Sequence, residues 1–347
     1  MTGPPAAASP PSPNLMSLLE PVAGDLARVE AMMAHRDVTG LQSLRKAYRD
    51  ILARGGKRLR PAMALLCAGL VPTRDAVELP DSVISLAAAV EMLHTATLVH
   101  DDVIDGSALR RGAPTLNSVW PQGSTVLAGN YMFGQASHFI ALTGHARVIQ
   151  VFSETLRELV EGEILQMHAM HEFQLARNSY FHRIACKTSS IFRVATEGAA
   201  LLQSFSADRV RRLKQFGVRF GLAFQVVDDI LDYTGDQADL GKPAGSDLLS
   251  GHCTLPFFLY VQGHPDREML IADIREASSY RNREPAVWAD RIRSFVADVC
   301  ASDAIRESYR VARGHVDAGL ACLDLFPDSE GRQALTALGN EILRRRA

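Results

Sequence analysis

Two stretches of this 347-residue chain end in the same way, and that repetition limits what the chain can fold into. Val83 to Asp105 (VISLAAAVEMLHTATLVHDDVID) and Phe216 to Tyr233 (FGVRFGLAFQVVDDILDY) are apolar on most faces, and both carry DDxxD at their C-terminal ends. Apolar residues recur at helical spacing, and a helix that is greasy all round belongs in the middle of a bundle. Asp101, Asp102 and Asp105 close the first segment; Asp228, Asp229 and Asp232 close the second. Helix stop signals follow at Gly106 and Gly235. On a helix, residues i and i+4 share a face and i+1 lies beside them, so each triplet is expected to aim three carboxylates into one small volume.

That placement is locally unfavourable. Like charges at i,i+4 cost about 0.2–0.5 kcal/mol per pair, and anions sit badly at the negative end of a helix dipole. Burial raises the cost, because unpaired carboxylates resist leaving water. A divalent cation removes all three objections together. Hard carboxylate oxygens suit Mg²⁺, which keeps part of its water shell and binds substrate phosphates. One DDxxD alone reads equally as a solvated helix end, whereas two, both closing apolar helices, favour the metal.

Cations are needed to meet the remaining phosphate charge, and the sequence offers them locally. Arg54 to Pro61 (RGGKRLRP) sets Lys57, Arg58 and Arg60 after a glycine pair. Arg110 and Arg111 directly follow the first triplet, and Lys187-Thr188 and Lys242 come later. Arg presents a planar fork to phosphate oxygens and Lys a mobile point charge. The formal net charge of -2 gives no general case for nucleic acid or an anionic membrane, so GGKRLRP is not read as a nucleic-acid patch. His94 precedes Asp101 by two helical turns and Gln225 precedes Asp228 by three residues; each reads either as a satisfied core polar group or as a phosphate partner.

The rest of the chain is helical in pattern from about Leu15 onward, with few alternating strand-like runs. Residues 1–14 (MTGPPAAASPPSPN) read as a disordered Pro/Ala-rich tail without the basic start and apolar run of a signal peptide. Residues 15–347 read as one all-α domain, with the polar segment from His264 to Pro285 as a surface excursion. The loops Gly106–Thr115 and Gly235–Pro256 occupy equivalent places after similar helices, which suggests a faint internal duplication. The five cysteines are scattered, odd in number and never in CxxC spacing, and are read as neither a disulfide framework nor a zinc site. With no long uninterrupted apolar run, the default expectation is a cytoplasmic protein without a transmembrane segment.

Taken in order, GGKRLRP, EMLHTATLVHDDVID, LRRG, VEGEILQ, CKTSS, FQVVDDILDYTG and GKPAGSDLLSGHCTLP resemble the trans-isoprenyl diphosphate synthases, the polyprenyl synthetase family, over residues 40–260. The resemblance implies a bundle of long helices around a central cavity, as a homodimer. It also implies about three Mg²⁺ ions bridging Asp101, Asp105 and Asp228 to an allylic diphosphate, with Asp102, Asp229 and Asp232 in support. Arg110, Lys187 and Lys242 match residues that grip that diphosphate, and Gly56, Lys57, Arg60, His94 and Arg111 match those that hold isopentenyl diphosphate. Thr188 and Gln225 match residues that steer the allylic cation and its leaving group. The implied reaction is head-to-tail condensation of isopentenyl diphosphate with farnesyl or geranylgeranyl diphosphate, giving a long-chain all-trans polyprenyl diphosphate for quinone side chains. Peripheral membrane contact for product release accompanies it.

Two departures stand out. His252 replaces the lysine that the family usually carries in GKxTLP, so by the resemblance it is expected to bind substrate with a phosphate-facing charge that depends on pH, and Asn130 stands where long-chain members commonly have Asp. Product length is expected to follow the wall of the first helix, at Thr97 and Ala96 and then Met92. Short-chain members place a bulky aromatic at the site matching Ala96 or Thr97, so the small residues here predict a long product, with Phe139 or Phe152 as residues able to close the tunnel. The alternatives are a geranylgeranyl or farnesyl diphosphate synthase, a terpene cyclase, whose second motif normally differs from DDxxD, and a non-catalytic subunit of a heteromeric synthase.

Overall fold

The computed structural model describes residues 15–34, 40–53, 55–71, 78–110, 113–170, 173, 176–235 and 244–345; the tail, residues 1–14, lies outside them. Four helices, α1 (Leu15–Leu18), α2 (Ala23–Ala34), α3 (Gln42–Ala53) and α4 (Leu59–Ala68), lead to the long α5, Asp81–Ile104. A short antiparallel pair, β1 (Leu109–Arg110) and β2 (Ala113–Pro114), holds the only strands among the described residues. Then come α6 (Leu116–Val119), α7 (Gln122–Leu142) and α8 (Ala146–Ala169). Helix α9 (Arg177–Ile184) runs through a five-residue π-helix, Ala185–Ser189, into α10 (Ser190–Leu202). The longest helix, α11, spans Ala207–Thr234. Beyond it lie α12 (Ser246–Leu249), α13 (Leu255–Gly263), α14 (Arg267–Ser279), α15 (Pro285–Ala301), α16 (Ala304–Leu320) and α17 (Glu330–Ile342).

Both Asp-bearing segments are central helices, as their composition requires. Every residue of α5 from Val83 to Leu93 is buried, and α5 packs against α2, α4, α7 and α10. By length and hydropathy α5 could cross a membrane, but 72% of its apolar window is buried inside the protein itself. Each large aliphatic side chain removed from water in this way contributes about 1.5–3 kcal/mol. Helix α11 packs on α10 and α16 with Leu213, Phe216, Phe220, Val226 and Val227 inside.

The helix ends differ in how they stop. Gly106 has φ +62 and closes α5: Ser107 N–H donates to the Asp102 carbonyl at 3.0 Å and Gly106 N–H to that of Val103 at 3.3 Å. These are the two bonds of a Schellman cap, which glycine adopts without a Cβ penalty. Gly235 is extended instead, so α11 ends without such a left-handed cap.

A second apolar cluster gathers Phe173, Tyr233, Leu248, Phe257, Ile274, Trp288, Ile292 and Phe295, with Leu259 and Ile305 packed against both clusters. This corrects the expectation for His264 to Pro285. Much of it is α14, whose Leu270, Ile274 and Ala277 are buried while its polar face is exposed. Three apolar residues at positions i, i+4 and i+7 are a stripe that a mean polarity hides.

Glycines permit the closest helix contacts. A Cβ at Gly221 of α11 would lie 2.5 Å from Ser189 Cα and 3.1 Å from Phe192 Cδ2. A Cβ at Gly162 of α8 would lie 2.9 Å from Cys186 Cβ and 3.0 Å from Lys187 N. The π-helix is thus clamped between two helices that have no side chain at the contact. Gly221→Ala is expected to lower stability by about 1–3 kcal/mol through overpacking, read as a fall in thermal midpoint against the unsubstituted protein. An unchanged midpoint would show that the contact is not tight.

Candidate active site

A cavity of about 590 Å³ lies between the C-terminal halves of α5 and α11, with α8, the π-helix and residues of α4, α7 and α10 completing its wall. Asp101 and Asp228, one from each triplet, both line it. So do Arg60, His94, Thr97, Glu163, Lys187, Thr188 and Gln225. The remaining lining is largely apolar: Leu98, Ile104, Phe133, Leu156, Leu159, Val160, Ile164, Met167, Ile191 and Phe224.

The charged lining is organised around Lys187. Its Nζ lies 2.7 Å from Glu163 Oε1 and 3.6 Å from Asp101 Oδ2. Burial opposes the ammonium, but Asp101 and Glu163 outweigh it and raise its pKa, so Lys187 is held charged. Asp101 is pushed upward, first by burial and in smaller part by Asp102, while Lys187 and Arg110 pull it back. Glu163 is raised by burial and then by Asp101. Carboxyls driven toward protonation in a pocket with too few positive charges are a donor set that a hard dication suits. Mg²⁺ therefore fits the residues present.

The three carboxylates of each triplet do not all enter that volume, which corrects the expectation that they would. Asp102 is buried and accepts from Arg110 Nε at 2.7 Å, so Arg110 braces the first triplet from behind. Asp105 is exposed at the end of α5, near enough to act on Lys187 and Glu163. Asp229 is 2% exposed and accepts from Tyr180 Oη at 2.6 Å and from Gln225 Nε2 at 2.7 Å. Burial first, and then the Asp247 carboxylate, push it up to about 8. Asp232 accepts from Ser246 Oγ at 2.7 Å and from Asp247 N–H at 3.1 Å, so it anchors the start of α12. The reason is geometric: neighbouring residues point about 100° apart around a helix, and one further turn carries Asp232 past the cavity to the next segment.

Thr188 Oγ1 donates to Gln225 Oε1 at 2.6 Å, which completes a line from the cavity through Gln225 to Asp229 and Tyr180. Lys187 and Thr188 both ride on the π-helix, where one extra residue per turn redirects side chains. At the start of α4, Arg58 has φ +47 and pairs with buried Glu91 at 2.7 Å and with Glu30 at 3.1 Å. This ties the glycine-rich turn to α5 and α2 and leaves Arg60 to stack over Phe192 and Phe224, 5.0 and 5.9 Å from the ring centres. Gly56 and Lys57 are exposed at that turn.

Other expected residues stand apart. Arg111 and Lys242 lie outside the described residues. His252 is half-buried, with its N–H donating to the Asp247 carbonyl at 2.8 Å, and it is not on the cavity wall. Thr97 is on the wall, whereas Ala96 and Met92 are fully buried and absent from it. Phe139 and Phe152 belong to the core; the phenylalanines on the wall are Phe133 and Phe224, and Phe133 lies tilted against His100 with ring centres 5.1 Å apart.

Several participants escaped the sequence reading: Glu163, although it lies in VEGEILQ, Tyr180 and Phe133. An acid flanked by apolar residues was the available sign for Glu163, and the other two carried none; whether Arg344 to Arg346 close over the site was a question the sequence left open. Arg345 Nη2 donates to Asp228 Oδ1 at 2.9 Å, and its guanidinium lies 4.5 Å above Phe224. It occupies a carboxylate that a metal would use, in a half-exposed pair worth no more than about 1 kcal/mol. Arg345→Ala should lower the half-saturating Mg²⁺ concentration by no more than about fivefold, measured by metal titration of turnover. A rise would mean that Arg345 assists metal binding.

Comparison with known proteins agrees with this geometry. The polyprenyl synthetase family profile matches residues 41–287. The chain is 35% identical over 326 residues to an all-trans-nonaprenyl-diphosphate synthase (geranyl-diphosphate specific) of Rhodobacter capsulatus, covering 92% of this chain and 95% of that protein. It is 34% identical over 332 residues to heptaprenyl diphosphate synthase component 2 of Geobacillus stearothermophilus, covering 96% and 99%. Among solved structures, a polyprenyl synthase from Caulobacter crescentus, complexed with calcium and isoprenyl diphosphate, superposes with a TM-score of 0.87 at 32% identity, covering 98% of this chain and 100% of that one. The chain belongs to the polyprenyl synthetase family of trans-prenyltransferases.

Proposed function

We propose that this protein condenses isopentenyl diphosphate head-to-tail with an allylic diphosphate and extends it to a long-chain all-trans polyprenyl diphosphate. One observation carries the reading: Asp101 and Asp228 face a common cavity whose remaining lining is largely apolar, so a diphosphate and a hydrocarbon chain would each find matching partners in it. The named relatives, a nonaprenyl and a heptaprenyl synthase, support a long product.

The chemistry follows from where charge must be held. Mg²⁺, when bound, neutralises the departing pyrophosphate. Asp101, Asp105 and Asp228 are the residues assigned to hold about three such ions, with Asp102, Asp229 and Asp232 setting the orientation of the helix ends behind them. Lys187 and Arg110 add fixed positive charge on the allylic side, which favours heterolysis of the allylic C–O bond. Arg60, Lys57 and His94 are assigned to the second diphosphate, held beside the first so that its double bond can reach the cation. Thr188 and Gln225 present oxygens whose hydrogen bonds are already fixed, a preorganised partner for developing positive charge. The apolar wall keeps water from capturing that cation.

Leu98, Phe133, Leu156 and Ile191 are assigned to the product tunnel. The wall reaches the surface at Ile104, Val160, Ile164 and Met167, all exposed, which suits peripheral contact with a membrane when the product leaves. A homodimer is the proposed assembly, with exposed Leu127, Leu142 and Ile149 as available apolar surface. The word component in the Geobacillus relative's name motivates the second reading, a subunit that needs a partner. Two intact triplets weigh against it.

Purified protein incubated alone with Mg²⁺, farnesyl diphosphate and labelled isopentenyl diphosphate should yield long-chain prenyl alcohols after dephosphorylation. Activity that appears only on adding a second protein would establish the subunit reading. Because Thr97 faces the cavity, Thr97→Phe should shorten the product, sized by chromatography of the same alcohols; an unaltered length would exclude this wall as the tunnel.

A further inference from the structure

Where α8, α9 and the π-helix meet, three side chains of a different kind converge, none of them on the cavity wall. His182 of α9 and Cys186 of the π-helix lie one turn apart, and Glu161 reaches them from α8. Glu161 Oε1 is 3.2 Å from His182 Nε2, Cys186 Sγ is 4.0 Å from either ring nitrogen of His182, and all the ligand atoms fall within 4.8 Å of one another. None of the three has a role in the prenyl-transfer reading.

We propose that Glu161, His182 and Cys186 form a binding site for a borderline divalent transition-metal ion, Zn²⁺ foremost, distinct from the carboxylate-lined cavity. One carboxylate, one imidazole and one thiolate form a donor set that favours zinc over Mg²⁺, which takes oxygen. Tetrahedral zinc sets such atoms roughly 3.4–3.6 Å apart, given metal–ligand bonds of about 2.0–2.3 Å. The observed spacings bracket that range. The side chains of Glu161 and His182 are 58% and 56% exposed, so their rotation closes the shell without backbone movement. Cys186 is the fixed member: it is buried, with Gly162 of α8 pressed against its Cβ. Three protein ligands leave the fourth position to water.

The local charge agrees. Burial first, and then the carboxylates of Glu161 and Glu158, push the Cys186 thiol up, while Arg193 opposes them from its own pair with Glu158 at 2.9 Å. A dication reverses the sign of that environment: the Cys186 S–H bond breaks, a metal–sulfur bond forms, and the proton leaves to solvent. Without a metal, the same residues are a surface His–Glu pair beside a small core thiol, a reading that predicts no response to the ion. Position gives the site its consequence. Cys186 immediately precedes Lys187, so a bound ion fastens α8 to the π-helix that carries Lys187 and Thr188.

Cobalt is the probe, because thiolate-to-cobalt charge transfer reports a sulfur ligand that the aspartate cavity cannot supply. Chelator-washed full-length protein titrated with Co²⁺ should develop this absorption to one equivalent, and added Zn²⁺ should abolish it. Cys186→Ser should remove the band. Glu161→Gln and His182→Ala, both at exposed positions, should weaken Co²⁺ binding at least about tenfold while Mg²⁺-dependent turnover persists. The proposal is overturned if no thiolate band forms, if the band survives Cys186→Ser, or if neither exposed substitution alters affinity. Should Cys186→Ser fail to fold, the two exposed variants decide.

Discussion

Carboxylates at the ends of two buried helices must be met by positive charge, and the active end of this molecule is arranged around that demand. Lys187 meets Asp101 and Glu163, Arg110 meets Asp102, and Arg345 meets Asp228. These protein cations leave Asp101 and Glu163 raised, so the balance is incomplete until further positive charge arrives. The same deficit that makes the triplets costly to the fold is a demand that a divalent cation would meet.

Placing Lys187 between those carboxylates depends on backbone geometry more than on charge. The π-helix Ala185–Ser189 turns Lys187 and Thr188 toward the cavity, and the bare backbones of Gly162 and Gly221 let α8 and α11 close on it from two sides. Behind it, Tyr180, Asp229, Gln225 and Thr188 form a continuous run of short hydrogen bonds. Buried groups satisfied in this way hold one arrangement, because any rotation leaves a polar atom without a partner. Rigidity around Lys187 and Thr188 therefore accompanies a lining otherwise made largely of Leu, Ile, Met and Phe.

The cavity brings charged and apolar side chains into one lining. An alkyl chain gains by leaving water wherever the wall is apolar, with little directional demand, so a tunnel tolerates growth of its occupant until a side chain blocks it. Thr97 and Phe133 stand on that wall, whereas Ala96 and Met92 are enclosed in the packing of α5.

The amino-acid sequence by itself determined the helical class, the two central helices, their cappable ends and the carboxylate triplets, because apolar periodicity and residue spacing along one helix are local properties. It also pointed to the Gly106 stop, to the basic turn at Lys57 to Arg60 and to Lys187. Only the tertiary structure decided which carboxylates face the cavity, that Asp229 and Asp232 are tied to Tyr180 and Ser246, and that Ala96 is sealed away while Thr97 is not. It alone brought Glu163 and Arg345 to the site and showed α14 covering an apolar cluster. Those outcomes depend on partners distant in sequence, Tyr180 with Asp229 and Arg345 with Asp228 among them, and on helix rotations that a pattern apolar on every face leaves open.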